Sequence, residues 1–89
     1  AEALAPDDEV AIWIGLAQMA TGDLAGAKRQ LQALVEKRPN SPDGHRSLAM
    51  VLAREGQREA AVGALRRTLS INPNDQAAQH LLKEIGASP

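Results

Sequence analysis

Glycine and proline cut this chain into five stretches of helical length, and no stretch alternates apolar with polar residues as a half-buried strand would. That punctuation leaves an all-α fold. The first helix is expected from about Asp8 to Thr21, with Asp7 or Asp8 as its cap, consecutive acids at its positive end and Gly22 as its stop. The second runs from about Leu24 to Lys37; Lys37 and Arg38 suit its negative end, and Pro39 prevents continuation. The third opens with Ser41 as N-cap and Pro42 in its first turn, then ends before Gly56. The fourth spans roughly Arg58 to Ile71, stopped by Asn72-Pro73-Asn74, and the fifth runs from about Asp75 to Ile85, ahead of Gly86. Connections this short force successive helices to pack as antiparallel neighbours.

Composition says what fills the space between them. Alanine and leucine supply 28 of the 89 residues, Phe and Tyr are absent and Trp13 is the single aromatic. This is a helix former's alphabet. The core must be built from Leu, Ile, Val, Met and Ala, which lets helices approach closely but buries little area per residue. At this length there is one domain and one scaffold for any function. The absence of cysteine excludes a disulfide framework, a thiolate metal site and a cysteine nucleophile. Apolar runs are only a few residues long, too short for a membrane span or the apolar region of a signal peptide.

The helix pairs repeat at an offset of 34: Gly22 falls on Gly56, Ala27 on Ala61, Leu31 on Leu65, Pro39 on Pro73 and Asn40 on Asn74. Each matched residue has a geometric job. Glycine sits in the tight turn between paired helices, alanine where they cross, leucine one turn later in their seam, and proline where the next unit begins. On these residues the chain resembles the tetratricopeptide repeat family. The element that the family writes W-x2-L-G-x2-Y stands here as Ala11-x2-Ile14-Gly15-x2-Gln18 and again as His45-x2-Leu48-Ala49-x2-Leu52. The second-helix signature stands as Ala27-x3-Leu31 and Ala61-x3-Leu65, without the family's aromatic side chains.

The resemblance implies a right-handed superhelical array of antiparallel helix hairpins, with five helices here. Residues 8–41 form the first repeat, 42–74 the second, 75–86 a capping helix and 87–89 a tail. Lys83, Glu84, Gln76 and Gln79 give the last helix the polar face a cap needs. Residues 1–7 resemble the tail of a preceding repeat, since Ala3-Leu4-Ala5-Pro6-Asp7-Asp8 reads like Ser70-Ile71-Asn72-Pro73-Asn74-Asp75. Together with the start at Ala1 rather than methionine, this leads us to expect a segment of a longer array, or a chain that associates with itself.

The first helix carries the strongest hint of a site. Val10, Ile12, Trp13, Ile14, Leu16, Ala17, Met19 and Ala20 surround it with apolar surface, and a helix apolar all round should be covered all round. Ile14, Gly15 and Gln18 are assigned to the hairpin seam. By the resemblance, the concave groove is lined by Glu9, Ile12, Leu16 and Met19 of the first repeat and by Asp43, Arg46, Met50 and Arg54 of the second, with His80 and Glu84 continuing the line. The groove then reads as an apolar strip (Ile12, Leu16, Met19, Met50) with a basic flank (Arg46, Arg54). Such a groove suits an amphipathic helix or extended segment with acidic residues beside its apolar anchors. Leu4 and Trp13 are instead assigned to contact with a preceding repeat or a second copy. Some family members clamp a C-terminal carboxylate with lysine and asparagine; Ile12, Leu16, Arg46 and Met50 stand in those places, and one cation does not make a convergent clamp.

Charge is uneven, because residues 1–27 hold five acids and no base while residues 28–89 hold ten bases and six acids. Lys28, Arg29, Arg66 and Arg67 lie on the second helices, too sparse and too lacking in aromatic neighbours for nucleic acid. His45 and His80 have no further ligand at metal spacing, and the serines lack a base and an orienting acid. No catalytic, metal or cofactor site is expected. The expected function is therefore a non-catalytic protein–protein interaction module that holds a peptide or helix of a partner, for assembly or scaffolding of a complex. The alternatives are a homo-oligomerisation module and a docking or regulatory domain of a larger protein. The alanine and arginine bias points to a bacterium of high genomic GC content, with cytoplasm and periplasm or envelope both compatible.

Overall fold

The computed structural model describes residues 3–86, and five helices hold most of them: α1 (Pro6–Ala20), α2 (Leu24–Lys37), α3 (Pro42–Arg54), α4 (Arg58–Ile71) and α5 (Gln76–Ile85). No strand occurs among the described residues. Short polar side chains start three of the helices by accepting an otherwise orphaned backbone N–H. Asp23 Oδ1 takes that of Gly26 at 2.9 Å, Ser41 Oγ that of Gly44 at 3.3 Å, and Asp75 Oδ1 that of Ala78 at 3.0 Å. Gly22 (φ +93°) and Gly56 (φ +79°) turn the chain within each hairpin, in a backbone region that L side chains seldom enter.

Two boundaries differ from expectation. Helix α1 begins at Pro6 with Ala5 as its N-cap, so neither Asp7 nor Asp8 is the cap. Proline at the first position has φ already set and no N–H to lose. Asp8, now in the third helical position, reaches back so that its Oδ2 accepts the Ala5 N–H at 3.0 Å. Helix α5 begins at Gln76, and Asp75 serves as its cap rather than its first residue.

Packing follows chain order: α1 pairs with α2, α3 with α4, and the hairpins join through α2 on α3 and α4 on α5. In the two seams Ala27, Leu31, Ala61 and Leu65 expose no surface at all. The α1–α2 seam is the tighter, since a Cβ on Gly15 would stand 2.9 Å from Leu31 Cγ. At the matching place in α3, Ala49 is buried with its methyl accommodated. One core cluster gathers Met19, Leu31, Leu34, Leu48, Val51 and Leu52 between the hairpins, and a second joins Ala49 and Leu65 to Ala78 and Leu82 under α5. Ile14 departs from its assigned place in the hairpin seam and is 44% exposed, because Gly15 alone occupies the line of closest approach to Leu31.

Polar ties repeat where the sequence does not. The Pro39 carbonyl accepts from His45 Nε2 at 2.7 Å, and the Pro73 carbonyl accepts from Gln79 Nε2 at 2.9 Å, so two unlike residues 34 apart fasten the same kind of turn. Arg58 Nε donates to the Ile85 carbonyl at 3.1 Å and so satisfies the end of α5 from the start of α4.

Two glycines should respond with opposite sign to an added methyl-bearing side chain. Gly63 lies in α4 with nothing near its missing Cβ, so Gly63→Ala should stabilise by about 0.5–1 kcal/mol through helix propensity. Gly15→Val should destabilise by about 1–3 kcal/mol through overpacking against Leu31. Urea unfolding midpoints of the two variants check both signs.

Candidate functional site

Helices α1 and α3 lie near one another without interdigitating, and an open cleft of about 410 Å³ runs between them. Ile12 and Leu16, one turn apart on α1, form one wall; Met50 faces them from α3, with Arg46 and Asp43 toward the start of that helix. Glu9 stands at the same end, and Leu4, from the segment before α1, packs into the cleft. Beyond Met50 a second depression of about 270 Å³ continues between Met19, Ala53, Arg54, Leu81 and Glu84. Met50 lines both, which makes one elongated surface that crosses from the first hairpin to α5.

The structure therefore brings together Leu4, Ile12, Trp13, Leu16, Asp43, Arg46 and Met50, all singled out in the sequence, and places Arg54 at the far end. Met19 differs in degree: it is only 8% exposed, so most of it belongs to the core and only its edge reaches the second depression. His80 lines neither depression; its Nε2 lies 2.8 Å from Glu84 Oε1 on the exposed face of α5. Trp13 borders the cleft but is 69% exposed, more than a groove wall requires.

The electrostatics of the cleft are not those expected. Arg46 donates to Asp43 at 2.7 Å and to Asp75, the cap of α5. Burial opposes its charge, but hydrogen bonds and attraction from Asp43 and Asp75 outweigh that and raise its pKa above the ordinary arginine value. Both of its terminal nitrogens are thus engaged by carboxylates of the fold, and it joins α3 to the start of α5. The basic flank shrinks to Arg54, which forms no ion pair among the described residues. Glu9, which forms no ion pair among the described residues, leaves the opposite end acidic.

A second ionic cluster, missed in the sequence, holds the cleft's outer wall. Asp8 is 2% exposed and its carboxylate meets Lys37 Nζ at 2.8 Å and Arg38 Nε at 2.9 Å. The hydrogen bond from Lys37, then that from the Ala5 N–H, and then Arg38 hold its pKa at about 2 against the opposing effect of burial. These residues lie about thirty positions apart. Antiparallel pairing was the available signal, because it sets the acid-rich start of α1 beside the base-rich end of α2. On the outer faces Lys28 lies 3.5 Å from Glu55, and Arg67 donates to Asn40 at 2.9 Å, so the bases are dispersed among partners rather than gathered.

Stacked helix hairpins with small residues in their seams, presenting an elongated apolar cleft, define a helical-repeat scaffold. The family model of the tetratricopeptide repeat matches residues 18–85. The chain belongs to that family, whose fold serves non-catalytic interaction with proteins and peptides. No curated protein matches it. The matched span starts within α1 and takes in Met50, Arg46 and Arg54, whereas Ile12, Trp13 and Leu16 precede it. Among the described residues no helix is long and apolar enough to cross a membrane.

Asp8 gives the fold an acid-sensitive anchor. Its pKa is lower folded than unfolded, so its stabilising contribution is complete above about pH 4 and is lost as the pH falls toward 2. Asp8→Asn should lower the melting temperature at pH 7, and the gap from the parent protein should close as both are titrated to about pH 2. Thermal melts across that range provide the check.

Proposed function

We propose that this chain binds a peptide or helix of a partner protein along the cleft between α1 and α3, and that it thereby assembles or scaffolds a multiprotein complex. The observation that carries the reading is the alignment of Ile12 and Leu16 opposite Met50 in an open cleft with charged groups at its ends. Half-buried apolar side chains in a row, with charges restricted to the rim, suit a segment that contributes one apolar face. Methionine adds adaptability to the wall, since its unbranched thioether side chain can follow differently shaped anchors.

The charge pattern gives the partner a direction. Among the described residues Arg54 is the cation without an ion pair at its end, where Glu84 lies against His80, and it favours an acidic residue; unpaired Glu9 favours a basic one at the other end, so the partner carries both signs. Residues 8–41 and 42–74 as repeats and 75–86 as a capping helix remain our proposed division of the scaffold.

Selection of 16-residue segments from a random displayed library against the purified protein tests the reading. Selected binders should share apolar anchors at helical or alternating spacing, and Leu16→Glu or Met50→Glu should each weaken them at least about tenfold. Circular dichroism should show both variants folded. Binders that bind both folded variants as tightly as the parent protein would place recognition elsewhere on the molecule and overturn the reading.

A further inference from the structure

Helix α1 is apolar all round, yet the core and the cleft use only part of its circumference. Its core side buries Asp8, Gly15 and Met19, and its cleft side offers Ile12 and Leu16. On the remaining side Val10, Trp13 and Ile14 are 51%, 69% and 44% exposed, and Ala17 next to them is exposed too. Spacing of three and four residues makes these four one continuous stripe, and no charged residue interrupts it. Asp7 and Glu9, both exposed, flank its N-terminal end on either side.

The molecule shows twice what belongs on such a stripe. A shift of 34 carries it to Gly44, Ser47, Leu48 and Val51 of α3, all buried, with Leu34 and Val35 of α2 lying against Gly44. A second shift carries it to Ala78, Leu81, Leu82 and Ile85 of α5; there Ala78 and Leu82 have no exposed surface and pack with Leu65 of α4. In both cases the cover is an amphipathic helix, joined by a short turn and antiparallel to the helix it covers. On α1 the corresponding cover is absent among the described residues.

We propose that the Val10–Trp13–Ile14–Ala17 face of α1 is a second docking surface, for an amphipathic helix that lies antiparallel to it and carries basic residues in its last turn. Charge selects this occupant. Asp8 is already neutralised by Lys37 and Arg38, but exposed Asp7 and Glu9 form no ion pair among the described residues, and an antiparallel helix brings its C-terminal turn beside them. Lysine or arginine there meets the acids of α1 and the negative end of its own helix dipole at once. The last turn of α1 carries no base, so a second copy laid antiparallel on this face brings no cation to Asp7 and Glu9, and one laid parallel sets acid against acid. This surface meets the α1–α3 cleft only at Trp13, which borders both, and the inference does not rest on the function proposed for that cleft.

A covering helix of the required type is available as a probe: a helix-stapled peptide of residues 23–38, which carries Leu31, Leu34 and Val35 and ends in Lys37 and Arg38. Trp13 is the protein's single tryptophan and reports directly on coverage of the stripe. Titrating the peptide into the protein should shift Trp13 emission saturably to shorter wavelength. Changing Lys37 and Arg38 of the peptide to Glu should weaken binding about tenfold, added salt should weaken the parent peptide, and Ile14→Glu in the protein should abolish the shift while Met50→Glu preserves it. Because Ile14 is half exposed, circular dichroism should show that variant folded. Absence of a shift, or indifference to charge reversal, would overturn the proposal. So would binding lost in Met50→Glu and kept in Ile14→Glu, which assigns the peptide to the cleft. A blue shift that grows with protein concentration and needs no peptide would give the face to a second copy.

Discussion

Everything in this molecule depends on how closely paired helices are allowed to approach. Ala27 and Ala61 have no exposed surface, and Gly15 gives up even a methyl group so that Leu31 can sit against the backbone of α1. Close approach lets a core of leucine, valine and alanine reach interior packing without an aromatic side chain. It also fixes where the other faces of each helix point. Once Gly15 is turned inward, Ile12 and Leu16 must line a cleft and Val10, Trp13 and Ile14 must face outward. The two surfaces for which we propose partners are thus consequences of one steric fit.

The fold was legible because its punctuation is chemical. Proline, glycine and short polar caps terminate helices by removing donors, permitting positive φ or accepting orphaned N–H groups, and these effects act over three or four residues. The spans of α2 and α4 follow directly. The start of α1 was less legible because two adjacent acids competed for the cap, and Pro6, two positions earlier, provided the better first turn. Ile14 shows a different difficulty: a family pattern marks where the seam runs, but the neighbouring glycine decided how much of it one side chain could enter.

The cleft was legible as apolar and poorly legible as charged. Helical spacing brings Ile12, Leu16 and Met50 to one surface whatever else happens. Arg46, by contrast, was read by its own charge, while its environment is set by Asp43 one turn away and by Asp75, the cap of another helix. Asp8 poses the same problem over a similar distance. Ion pairs between helix ends depend on topology, so they become readable only when antiparallel neighbours are laid side by side and their ends compared.

Contacts here join mainly helices adjacent in the chain, and the core divides into one cluster between the hairpins and another under α5. Such a molecule is a short one-dimensional lattice, in which each helix gains or loses stability through its immediate neighbours. Closing those contacts costs little loop entropy, which favours rapid assembly outward from the centre. The middle helices α2, α3 and α4 each have neighbours on two sides, while α1 and α5 each rest mainly on one. Among the described helices α1 and α5 are therefore the natural places for stepwise opening, and a partner that settles on α1 would give it the second flanking neighbour that the middle helices already have.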